Sequence, residues 1–178
     1  VLNDCKVAAS DQWYLIRHHA VLAVLAEAAV ITLNKHKEWE VFSVVKDSDF
    51  YTLPPPVRNQ RGNRSPDLLI YNRSLKFAMI VELIVTLETD ILRARMEADE
   101  KVAWWKEQFE ECHYECLCFS VEIGCRGGFV SSSFVSFLKF IGMDEVEAKK
   151  YALMCQRKAF VYSQFLLDGH PRGYSEHR

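Results

Sequence analysis

Ser65-Pro66-Asp67-Leu68-Leu69-Ile70-Tyr71-Asn72-Arg73-Ser74-Leu75-Lys76-Phe77-Ala78-Met79-Ile80-Val81-Glu82-Leu83-Ile84-Val85 is the stretch on which the reading of this chain turns. Two apolar runs, Asp67 to Tyr71 and Phe77 to Val85, flank the turn-forming Asn72-Arg73-Ser74, a spacing that predicts a hairpin. The second run is apolar at nearly every position, as for a central strand buried on both faces. Glu82 lies inside it, and a carboxylate there is costly unless it is paired or bound to a cation. Pro66 fixes the backbone just ahead of Asp67. Antiparallel pairing can bring Asp67, at the start of one strand, beside Glu82, late on the other.

Outward from the hairpin, helix-like and strand-like segments alternate. Asp11 to about Asn34 predicts one helix, with Asp11 as its N-cap and Ile16, Val21, Leu22, Leu25 and Ala29 at helical spacing. Trp39 to Val45 predicts a short strand, and Lys46 to Pro66 an irregular segment with Pro54-Pro55-Pro56 and the arginines Arg58, Arg61 and Arg64. After the hairpin, Glu88 to Cys112 is a polar helix with Ile91, Ala94, Ala98, Val102, Trp105 and Phe109 along one side. Tyr114 to Val121 is a strand, Gly124 to Gly128 a tight turn, Phe129 to Ile141 a helix, and Asp144 opens a last helix to about Leu167. This order predicts an α/β fold: one domain over residues 1–178, with a mixed central sheet and helices on both faces.

Composition bounds the function. The chain has 178 residues, 49% of them hydrophobic and 26% charged, as for an ordinary globular protein. With a net charge of −2 it is no polycation, so nucleic-acid binding needs a local basic patch. The Arg58, Arg61 and Arg64 loop, just ahead of Asp67, is the best candidate to meet a phosphate backbone. The longest apolar run, Ala20 to Leu33, is interrupted by Glu27 and reads as too short and too polar for a membrane span. No signal peptide is read at the start, and the opening Val1 suggests a piece of a longer protein. Of six cysteines, Cys112, Cys116 and Cys118 lie close together. They lack a second ligand pair at zinc-finger spacing, and Cys116 and Cys118 fit one face of a strand as small apolar residues. Reduced thiols in an intracellular protein are the expectation.

Hydrolysis of a phosphodiester with a divalent metal needs carboxylates that converge on one point. Mg²⁺ takes hard oxygen ligands and keeps several waters, so one or two carboxylates and the substrate phosphate suffice. Pro66-Asp67, about fifteen residues and then Glu82 after an apolar run resembles the PD-(D/E)XK nuclease pattern. A wider set of segments is similar to the restriction-like endonuclease of site-specific non-LTR retrotransposons. It comprises Arg17-His18, Arg64-Ser65-Pro66-Asp67-Leu68-Leu69, Ile80-Val81-Glu82-Leu83 followed by Glu88, Lys101 with Trp105, and Val121-Glu122-Ile123-Gly124-Cys125-Arg126-Gly127. The resemblance spans about Trp13 to Met143.

That resemblance implies a restriction-endonuclease-like core and a Mg²⁺- or Mn²⁺-dependent DNA endonuclease, nuclear, that nicks target DNA for a retroelement within a larger polyprotein or reverse transcriptase. It makes Asp67 and Glu82 the metal ligands. The usual lysine two positions after the acid is replaced by Ile84, and Lys101 on the following helix is the matching candidate. Arg17 and His18 are implied to contact nucleic acid or to brace the site. The family's zinc knuckle is absent from this window, with Cys5 its candidate remnant. Glu27 is a candidate auxiliary acid, Glu88 a candidate helper near the ligands, and Glu122 and Arg126 a candidate ion pair across the glycine turn. Three alternatives stay open: a binding module that kept the fold without the chemistry, a metal-dependent RNA endonuclease, and a host protein domesticated from a mobile element.

Overall fold

The hairpin is present, and the sheet is built outward from it. A computed structural model describes residues 13–45, 53–58 and 65–168 of the chain. Strand β2 (Leu68–Asn72) pairs antiparallel with β3 (Phe77–Thr86), setting Leu68 against Val81 and Asn72 against Phe77. The turn closes with Lys76 at φ 53° and with the Leu75 amide donating to the Asn72 side chain at 2.9 Å. β1 (Glu40–Ser43) adds antiparallel to β2. β4 (Glu115–Gly124) adds parallel to β3, so the order is β1-β2-β3-β4. A parallel neighbour requires a crossover, and α3 (Ile91–Glu111) supplies it. Helix α1 (Trp13–Leu33) precedes the sheet, a single turn α2 (Pro55–Arg58) lies between β1 and β2, and α4 (Ser132–Phe140) and α5 (Glu145–Asp168) follow β4.

Strand alternation sorts the two core layers. Met79, Val81 and Leu83 of β3 join Leu22 and Leu25 of α1, Phe134 and Phe137 of α4, and Ala152 and Cys155 of α5. Ala78 and Ile80 point the other way and pack with Trp105 and Phe109 of α3. The protein is therefore an α/β structure in which a four-strand mixed sheet is flanked by helices, as the sequence pattern predicts.

Two segments depart from the sequence reading. The helix is longer than the apolar run Ala20 to Leu33: Tyr14–Leu33, with a mean hydropathy of 1.5, is long and apolar enough to cross a membrane by length and composition alone, a test that a buried core helix also passes. In this fold its Val21, Leu22, Leu25, Ala26, Ala28 and Ala29 are core residues. Within the stretch expected to be irregular, Pro55 starts a helical turn, a position proline tolerates because its missing amide has no partner there anyway. Val57 and the preceding Leu53 are buried against the α3 side of the sheet.

Candidate active site

One step beyond the Leu68–Val81 pair, the register places Asp67 beside Glu82, both on the sheet face that α3 covers. Both are nearly inaccessible, at 8% and 4% exposed. Asp67 Oδ2 accepts a hydrogen bond from the Leu83 amide at 2.8 Å and lies 3.1 Å from His18 Nε2. His18 Nε2 is also 3.1 Å from the Leu83 carbonyl oxygen. That carbonyl can only accept, which assigns the ring proton to Nε2. Lys101, from the middle of α3, donates to Glu82 Oε2 at 2.7 Å, and its Nζ is 3.9 Å from Asp67 Oδ1. The structure thus brings together Asp67, Glu82, Lys101 and His18, from four different elements or their ends.

The electrostatics split the two acids. Burial pushes the Glu82 carboxyl up to about 8; the negative charge of Asp67 adds to the rise and Lys101 opposes it. Burial alone would raise Asp67 as well. The His18 hydrogen bond, the Lys101 charge and the Leu83 amide outweigh it and hold Asp67 below the usual carboxylate range. Among the described residues no donor group reaches the buried Glu82 Oε1, so the ionised carboxylate leaves it orphaned, while the protonated acid hydrogen-bonds to Asp67. An orphaned carboxylate oxygen beside a second carboxylate is the donor set that a hard divalent cation completes. Asp67 and Glu82 could hold such an ion, with waters as its remaining ligands. Among the described residues no three His, Cys, Asp or Glu side chains gather into a complete cage.

The remaining predicted residues lie elsewhere. Arg17 is 2% exposed; it donates to the Val85 carbonyl at 3.0 Å and to Ser163 Oγ at 3.2 Å, and its guanidinium lies over the Tyr14 ring. Of the two roles implied for it, this is the geometry of a brace. Arg58 is exposed at the end of α2, with Nε donating to the Leu53 carbonyl at 3.1 Å. Arg61, Arg64 and Cys5 lie outside the described residues. Glu27 is exposed and nine residues beyond His18, half a rotation round the helix, so it does not join the carboxylates. Glu88 accepts from the Arg126 amide at 3.2 Å and so ties down the glycine turn.

Glu122 does not pair with Arg126. It is 1% exposed and lies 3.0 Å from Arg95 Nε of α3, while Ser133 donates to its other oxygen at 3.1 Å. Sequence reasoning did not single out Arg95, although Glu122 carries the same signal as Glu82, a carboxylate inside a largely apolar strand that needs a partner. Cys116 and Cys118 stand on the α3-facing side of β4 as expected, and both are free thiols. A cleft of about 560 Å³ opens at the opposite end of the sheet, lined by Leu33, Trp39, Phe77 and Phe140, and contains none of these groups. No family model and no curated protein matches this sequence.

Proposed function

We propose that this chain is a divalent-metal-dependent endonuclease with a restriction-endonuclease-like core, cleaving phosphodiester bonds in DNA. The observation that carries the reading is the meeting of Asp67, Glu82 and Lys101 at one buried point, where no donor group among the described residues reaches Glu82 Oε1. A bound Mg²⁺ or Mn²⁺ would activate water and stabilise the leaving oxygen. The chain's own groups then have distinct tasks. Asp67 and Glu82 supply hard oxygen ligands, and Lys101 places an ammonium where it can orient an attacking water or offset charge on the phosphate. That ammonium comes from α3 rather than from the usual position on the strand, where Ile84 stands. Arg58, Arg61 and Arg64 are proposed to meet the nucleic-acid backbone ahead of the site. Nicking of nuclear DNA for a retroelement follows from motif resemblance alone.

A binding module without chemistry is the competing reading, and Ile84 is its support. The approach of Lys101 to both carboxylates favours catalysis over it. Titration calorimetry with Mn²⁺ should give a binding isotherm for the wild type that Asp67→Asn and Glu82→Gln abolish; a flat wild-type trace would count against a metal centre. Competition between duplex DNA and single-stranded RNA, with Ca²⁺ replacing the catalytic ion, should favour the duplex; preference for RNA would count against a DNA substrate and favour the RNA-endonuclease reading.

A further inference from the structure

Strand β3 outruns its antiparallel partner. The ladder with β2 stops at Leu68–Val81, while β3 continues to Thr86 and stays in register with β4 to its end. On the β2 side, the backbone groups past Val81 need other partners, because buried amides and carbonyls are rarely left unpaired. Three side chains take over. Asp67 Oδ2 accepts from the Leu83 amide at 2.8 Å, His18 Nε2 reaches the Leu83 carbonyl at 3.1 Å, and Arg17 Nη2 donates to the Val85 carbonyl at 3.0 Å. Leu83 and Val85 are two residues apart on a strand, so their carbonyls leave on the same side.

We infer that Arg17 and His18 are a side-chain continuation of the sheet that positions the Asp67 carboxylate, and that neither is a contact to nucleic acid. The device is directional. His18 and the Leu83 amide both engage Oδ2, which fixes the carboxylate's rotation and leaves Oδ1 on the Lys101 side. His18 needs its Nε2 proton for an acceptor-only carbonyl, so that nitrogen has no lone pair to give a metal. Arg17 commits Nη1 to Ser163 of α5 and Nη2 to the Val85 carbonyl, and its Nε is buried as well, so no accessible edge faces a phosphate. Both are positioning residues, acting through Asp67 and the end of β3.

This inference rests on the nuclease reading only for its kinetic part, and two other readouts decide it independently. His18→Ala, with His18→Gln as the variant that keeps a donor, is compared with wild type in duplex-DNA affinity over a salt series in Ca²⁺, in amide hydrogen exchange at Leu83, and in kcat and KM with Mn²⁺. A positioning role predicts an unchanged salt slope, exchange at Leu83 faster by about tenfold, and kcat down about 100-fold at unchanged KM. His18→Gln should recover part of both losses. A slope reduced by about 0.9, the signature of one lost phosphate contact, with Leu83 exchange unchanged, overturns the inference. If the wild type does not cut DNA, the nuclease reading fails, while the exchange and slope results still decide the role of His18. Should His18→Ala not fold, His18→Gln and Arg17→Lys carry the same comparison.

Discussion

Glu82 holds a proton in the folded protein that the unfolded chain would already have released. Its carboxyl is pushed from an ordinary 4.5 to about 8, so between those values the folded state binds more protons. Stability therefore falls as pH rises through that window, and the loss is complete above it. Removing the charge removes the loss. Glu82→Gln should be more stable than wild type by on the order of 1–2 kcal/mol at pH 9 in metal-free urea melts, the gap closing towards pH 5. A gap that is absent at pH 9, or wider at pH 5, would mean that Glu82 is not a strained buried acid. Lys101 is tested by relocation. Lys101→Ala should lower nicking by at least about 100-fold. Adding Ile84→Lys, on the same face of β3 as Glu82, should restore a measurable part of it. Glu82 is legible from sequence because a carboxylate inside an apolar strand demands a partner, and Asp67 because it follows Pro66 at the mouth of the partner strand in the pattern the resemblance rests on. The His18–Asp67 contact was not, since it joins residues 49 apart through the packing of α1.

Among the elements, the hairpin and α3 could be read directly, because a turn tripeptide and a one-sided apolar stripe are local signals. Pairings that depend on how elements stack were hidden: Glu122 with Arg95 across the α3–β4 layer, and α2, whose prolines suit a loop as well as a first helical turn. The junction between β4 and the glycine turn shows how tightly these layers meet. A Cβ at Gly124 would come within 2.8 Å of Glu88 Cδ, and Glu88 is held by the Arg126 amide. Gly124→Ala should therefore lower stability by about 1–2 kcal/mol in thermal denaturation. Glu88→Ala in the same chain should give part of it back by removing the obstructing carboxylate. A fully stable Gly124→Ala would show that the Glu88 side chain swings aside without cost.

At the scale of the whole molecule, a chain of net charge −2 concentrates its catalytic candidates where the sheet face meets α3, two acids sharing one ammonium. The composition could exclude a polycation but could not show where positive charge would gather; the fold answers this for Lys101. The coarse architecture was legible because the element order constrains a mixed sheet with one crossover. The most direct measurement is nicking of supercoiled plasmid with Mn²⁺ and then Mg²⁺, comparing wild type with Asp67→Ala, Glu82→Ala and Lys101→Ala. Metal-dependent nicking by the wild type, abolished by each carboxylate substitution, is the expected result. Nicking that survives loss of both carboxylates, or a wild type inert with either metal, would contradict it.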